Sequence, residues 1–315
     1  MDRQHDGHAD ASAAAIDAWP ELPLEAWTGT RDSLHLWTQI VGKLRCRQTA
    51  WVNHSWHVAL YVTARGLATS PIPHGTRTFD VEFDFIEHRL VLRSSDGGLG
   101  GVALQPQSVA AFHGALMREL DRLDLHVDIN RVPNELPDPV PFDRDEAPRE
   151  YDGEYAHRYW RALVQVDRVL KVFRARFQGK CSPVHYFWGG PDLAVTRFSG
   201  RRAPQHPGGI PHLPDWVARD AYSHEVSSAG FWAGGEPVPY AAFYAYAYPE
   251  PPGFAEVNVG PSAVYQPELR EFVMPYDAVR TAADPDSVLL AFLQDSYEAA
   301  ANLGHWDRGT LERPY

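Results

Sequence analysis

The sequence predicts an α+β fold built from two similar halves, each a helix, a run of antiparallel strands and a second helix. Three observations carry that reading. Apolar residues recur at three- and four-residue spacing in the segments that open and close each half, and alternate singly in the segments between. A stretch dense in proline and acid, VPNELPDPVPFDRDEAP, divides the chain near its middle. The 315 residues, 44% hydrophobic and 22% charged, are enough for a large core. Residues 1–18 read as a disordered tail, 19–131 as the first half, 132–150 as the linker and 151–315 as the second half.

The first helix is expected over Arg31–Arg45, where Leu34, Trp37, Ile40, Val41 and Leu44 form one stripe. Strands follow over Trp51–Thr63, Arg77–Phe85 and Arg89–Ser94. In the second of these, Phe79, Val81, Phe83 and Phe85 alternate with Asp80, Glu82 and Asp84, so one face is apolar and the other acidic. A two-residue turn at Glu87-His88 sets Glu82 opposite Arg93, with Arg89 diagonal to Asp84, which makes the acids a solvated ion-pair face. Gly97–Gly101 is a flexible turn, because a strand and not a helix follows it. Pro106 opens the next helix, with Val109, Phe112, Leu116 and Leu120 as its stripe, and a short strand is expected near Leu125–Val132.

After the linker, Asp152 caps a long helix that Gly179 ends. Strands are expected at Val184–Trp188, Leu193–Phe198, Ala221–Trp232, Ala241–Tyr248 and Glu271–Tyr276. The closing helix has Asp284 as cap, Pro285 as first residue and Gly304 as stop. A faint echo, Leu60-Tyr-Val-Thr63 against Leu193-Ala-Val-Thr196, suggests an internal duplication with His57 and His185 as mates.

Composition narrows the function. A net charge of −12 disfavours nucleic acid as partner. No apolar run approaches the roughly 20 residues of a membrane helix, and the first eighteen residues lack a signal-peptide pattern. Two cysteines far apart, Cys46 and Cys181, fit a cytoplasmic protein. Nucleophile-elbow, Walker, dinucleotide and Cys-x-x-Cys motifs are absent from the sequence.

Three groups of residues are candidates for chemistry. His57, His185 and His224 are candidate ligands for a divalent transition metal (zinc, iron or copper), which neutral imidazoles suit. His224-Glu225 begins like a helical metalloprotease motif, but Ser228 stands where its second histidine belongs. Glu225 remains a candidate acid–base group, although it and His224 point to opposite faces of a regular strand. In Phe243-Tyr-Ala-Tyr-Ala-Tyr248, Tyr244, Tyr246 and Tyr248 share one face, and together with Trp188 they are the candidate substrate-binding residues. Pairing with Ala221–Trp232 places Tyr248 and Tyr246 near His224 and Val226. Among the basic residues, Arg197 stands out because it lies mid-strand on an apolar face, where an unpaired charge is expensive; it is the candidate anchor for an anionic substrate.

The stretches Leu36-Trp-Thr-Gln-Ile-Val-Gly-Lys43, Leu60-Tyr-Val-Thr-Ala-Arg-Gly66, Leu193–Arg202 and Tyr222–Ser228 resemble a bacterial family known only as a domain of unknown function. The resemblance covers nearly all of the chain after the tail. It implies a soluble bacterial protein of this architecture and brings no activity with it.

The expectation is a small-molecule enzyme of hydrolase or oxygenase type, with a His-ligated metal and a site between or within the halves. The alternative is a non-catalytic binding protein with an aromatic-lined pocket. An interaction scaffold is the third reading.

Overall fold

A computed structural model describes residues 18–313, so the expected tail lies, but for Ala18, outside the described residues. The first half opens with α1 (Leu24–Gln48) and closes with α2 (Val109–Arg122). Between them run β1 (Tyr61–Val62), β2 (Gly66–Ala68), β3 (Ile72–His74), β4 (Arg77–Asp84), β5 (Arg89–Ser94) and β6 (Leu99–Ala103). The second half opens with α3 (Gly153–Ala175). It continues through β7 (His185–Phe187), β8 (Asp192–Arg202), α4 (Asp215–Ala221), β9 (His224–Trp232), β10 (Ala242–Tyr248), β11 (Val264–Gln266) and β12 (Glu271–Pro275). Helices α5 (Tyr276–Arg280), α6 (Pro285–Leu303) and α7 (Arg308–Leu311) complete it. The α+β expectation and the helix–strands–helix order of each half stand. No helix among the described residues is long and apolar enough to cross a membrane.

Each half forms a six-stranded antiparallel sheet. In the first the order is β1-β2-β4-β5-β6, with β3 also on β4; in the second it is β11-β12-β10-β9-β8-β7. The two sheets meet edge to edge just before β1, where Leu60 and Tyr186 exchange backbone hydrogen bonds of 2.8 Å in both directions. Helices α2, α1, α3 and α6 touch one another in that order and cover one face of the joined sheets. Apolar side chains from both halves enter one continuous core. Trp37 of α1 stacks on Phe112 of α2 at 4.7 Å, and Ala245 and Ala247 of β10 are buried on the helix side. The chain start also spans the halves: Tyr276 Oη donates to Pro20 O at 3.0 Å, and Trp19 lies 6.1 Å from the Tyr276 ring.

Several expectations are corrected. The segment expected as a strand over Trp51–Thr63 is mostly irregular. His54 and Ser55 have φ of 61° and 58°, which extended backbone forbids, and pairing begins only at Leu60, followed by Tyr61 and Val62. The cause is tertiary: His54 N donates to Asp220 Oδ2 at 2.7 Å, and the His54 ring lies tilted against Phe198 at 4.6 Å. Near Leu125–Val132 there is no strand. Leu125, Val127 and Ile129 are alternately buried, but the backbone there forms isolated bonds, Leu125 N to Leu120 O and Phe142 N to Arg131 O, and no ladder. The β4–β5 turn has four residues, not two, so Asp80 faces Arg93 and Glu82 faces Val91. Asp84 sets that turn by accepting from Ile86 N and Glu87 N, both at 3.0 Å. Strand β9 starts only at His224, because α4 occupies Asp215–Ala221.

His57 lies in the irregular stretch while His185 opens β7, so they are not equivalent positions. The Leu60–Thr63 echo falls on the two-residue β1, whereas Leu193–Thr196 lies inside the eleven-residue β8, so the duplication is not confirmed.

Candidate functional site

The side of the second sheet away from the helices is where polar chemistry collects. On β10, Tyr244, Tyr246 and Tyr248 point to that side and sit opposite Gly230, Ser228 and Val226 of β9. This is two residues along from the expected register. Gly230 has a packing reason: a Cβ there would lie 2.7 Å from Tyr244 Oη. The phenol passes over that glycine to β8, where its hydroxyl donates to the Asp192 carboxylate.

The chain between β8 and β9 folds back over the tyrosines as a strap. Tyr222 Oη lies 2.9 Å from Tyr246 Oη, and Tyr248 Oη donates to Pro204 O at 3.0 Å. The His206 ring stacks on Tyr222 at 4.7 Å. The strap then meets the linker, where Glu135 N donates to Pro211 O at 2.9 Å.

A polar stripe on α1 fixes the linker in place. His35, Gln39 and Lys43 are four apart and therefore share one helix face. His35 Nε2 donates to Gly189 O at 2.7 Å, Gln39 Nε2 to Asn134 O at 2.9 Å and Lys43 Nζ to Val132 O at 2.9 Å. Burial pulls the Lys43 ammonium down to about 8. The linker held this way lays the Glu135 carboxylate over Gly189, where a Cβ would come within 1.8 Å of Oε1. Glu271 stands beside Tyr246, one residue beyond the Phe272–Ala245 pair.

Three carboxyls thus face a tyrosine wall, and none of them forms an ion pair among the described residues. Burial pushes Asp192 up to about 7; the Tyr244 hydrogen bond opposes that rise, while the charges of Glu135 and Glu271 add to it. Burial alone carries Glu271 to about 7 and raises Glu135 as well. Asp192, Glu135, Glu271 and the tyrosines nonetheless keep partial solvent contact. Groups that are desolvated yet still touch water form a partly open wall, not a sealed core. Burial likewise raises Tyr222 to about 12 and Tyr246 well above the ordinary phenol value, so both hydroxyls stay protonated. The arrangement offers two carboxyls that exchange protons near neutral pH, beside fixed hydroxyl donors.

Of the residues singled out from sequence, the structure brings Tyr244, Tyr246 and Tyr248 to this wall. Trp188 is elsewhere: its indole is buried against Gly42 of α1 and donates to Val58 O at 2.9 Å. Arg197 points through the opposite face of the sheet, beneath α3 and α6. Glu225 is held by Arg201 at 2.6 Å and by Ser199 Oγ at 2.8 Å on that same opposite side.

The three histidines do not converge. His57 Nδ1 accepts from Val52 N at 3.3 Å, and its ring packs on Trp51. His185 is fully buried against Phe187 with neither ring nitrogen bonded, and burial drops its pKa to about 4. His224 lies 6.2 Å ring to ring from His54. Among the described residues no group of three or more His, Cys, Asp or Glu is placed to hold a metal ion.

Sequence reasoning missed Asp192, Glu135, Glu271, Tyr222 and His206. Only Asp192 left a trace, as an acid directly before the apolar strand that follows Gly189-Gly190-Pro191.

A family model described as a family of unknown function (DUF5996) matches residues 19–313, and the chain belongs to that family. No curated protein and no solved structure gives a significant match.

Proposed function

For this member of DUF5996 we propose an enzyme that acts on a small molecule by proton transfer, with the tyrosine-lined recess as its site and Asp192 as its acid–base group. The observation that carries the reading is Asp192 itself, a carboxyl tuned to about 7, gripped by the Tyr244 hydroxyl and open to the recess. A group whose pKa lies near the working pH gives and takes protons readily. Glu271, also near 7, is a second such group. Hydrolysis is the reaction class that two such carboxyls suit, one taking a proton from water while the other gives one to the leaving group. The Tyr222 and Tyr246 hydroxyls share one hydrogen bond, which leaves one of them a proton to donate to a substrate oxygen that gains charge. The chemistry is drawn from these carboxyls and not from His57, His185 and His224, which lie apart.

A cytoplasmic setting suits two unpaired thiols, Cys46 and Cys181. The net charge of −12 argues against nucleic acid as a partner.

One observation favours a second reading, a non-catalytic binding protein. Aromatic faces and unpaired carboxylates both attract an ammonium group, so the same wall suits capture of a small amine. The two readings separate in a metabolite-consumption assay followed by mass spectrometry, run with wild type and Asp192→Asn in parallel. The enzyme reading expects a component consumed by wild type with a pH limb near 7, and at least about 100-fold slower consumption by D192N. Consumption at equal rates by both proteins overturns the role of Asp192. Retention of an amine without turnover establishes the binding reading instead.

A further inference from the structure

A second feature lies on the other face of β8. Arg197 is 1% exposed, yet it has no carboxylate partner among the described residues. One terminal nitrogen, Nη2, donates to Phe173 O, and Nε is buried without any partner. Aromatic rings take the place of a counter-ion. The guanidinium carbon lies 3.5 Å from the Phe173 centroid, 4.2 Å from that of Tyr297 and 5.1 Å from that of Phe177. Such contacts offset only part of the cost of burying a full charge.

Arg197 also lines a cavity of about 360 Å³, together with Arg176, Gln294, Glu298, Glu312 and Arg313. The two glutamates in that wall are already engaged. Arg308 bonds Glu298 at 3.2 Å and Glu312 at 2.5 Å, and Tyr297 Oη donates to Glu312 at 2.9 Å. Gln294 donates to Glu298 at 2.8 Å, which leaves its own carbonyl oxygen buried and unbonded. A volume of this size falls at the lower end of small-molecule pockets.

We propose that this cavity binds a small carboxylate, with Arg197 as its anchor. The rings pack against the guanidinium and Nη2 already serves Phe173 O, so the remaining edge N–H groups are the donors left to meet the two oxygens of a carboxylate. Burial lowers the arginine to about 10, which keeps it charged at neutral pH. The site is separate from the tyrosine recess, on the opposite side of the sheet, and either one stands if the other fails.

The test is calorimetric and thermal-shift titration of the full chain with acetate, glutarate, citrate and inorganic phosphate, against sodium chloride at equal ionic strength. At least one carboxylate is expected to bind with a dissociation constant below about 1 mM. Arg197→Lys keeps the charge but loses the paired edge, and is expected to weaken binding at least tenfold. Gln294→Phe fills the cavity and leaves Arg197 in place, so it is expected to abolish binding even if the Arg197 variant folds poorly. Stabilisation by chloride equal to that by carboxylates, or affinity unchanged in both variants, overturns the site. Binding of phosphate alone overturns the choice of carboxylate.

Discussion

The two sheets present opposite solutions to the same problem on the faces that the helices leave uncovered. On the first sheet every acid has a cation. Arg93 reaches Asp80 at 3.2 Å and Glu82 at 2.8 Å, and Arg65 reaches Asp84 at 2.6 Å. Burial works to raise the Asp84 pKa, but the Arg65 bond and the amides of Glu87 and Ile86 win and hold it below the usual carboxylate range. On the second sheet Asp192, Glu135 and Glu271 meet tyrosines and one another, and the net shift is upward. The first face is built for stability. The second gives up stability to keep carboxyls that hold their protons to neutral pH, a pattern that recurs where proteins do chemistry.

The largest test of this contrast removes the cation. Arg93→Met leaves Glu82, which is only 8% exposed, with the Thr63 hydroxyl but without a cation. A loss of about 2–3 kcal/mol at pH 7 is expected in urea unfolding, moderated because Arg93 itself is partly exposed. Stability equal to wild type would break the comparison at its first term.

The next test takes away an unpaired acid and has the opposite sign. Asp192 has its folded pKa raised from 3.8 to about 7, so the native state holds its proton more tightly than the unfolded chain. Its ionisation therefore costs stability progressively as pH rises from about 4 to about 7, with the whole penalty present above that window. Asp192→Asn should gain about 1–2 kcal/mol at pH 8 and nothing at pH 4, after allowing for a changed Tyr244 hydrogen bond. A loss of stability at pH 8 would show that Asp192 is a structural partner of Tyr244 and not a strained acid.

The smallest effect is expected from Tyr246→Phe. Water in an open recess can replace the lost partner of Tyr222, so the cost should stay within about 1 kcal/mol of wild type by thermal unfolding. A loss several times larger would mean that the wall is sealed core, and would end the likeness to a site.

Much of this contrast was half legible in the sequence. Strict alternation in Phe79–Phe85 and in Phe243–Tyr248 told which face is which, because side chains in a strand alternate whatever their partners. Asp284, Pro285 and Gly304 marked the last helix for equally local reasons. What alternation cannot carry is the identity of the partner. Arg93 lies on the next strand, so pairing with the acids of β4 was readable even though the turn is longer by two residues. The recess instead gathers a linker glutamate, the first residue of β8, a residue of β12 and a tyrosine beyond α4. Nothing periodic links these positions. The same limit explains the failure at residues 51–60: the positive φ of His54 is held by Asp220, 166 residues away in sequence.

The Leu60–Tyr186 junction has one more consequence, for the solubility of the chain. A sheet edge with unpaired amides and carbonyls is a template for adding further strands. By meeting at Leu60 and Tyr186, the β1 and β7 edges cover one another, and among the described residues β6, the three-residue β11 and β3, which pairs with β4 alone, remain as outer edges. Halves forced apart, against the core they share, would expose both inner edges at once and pair further strands along them.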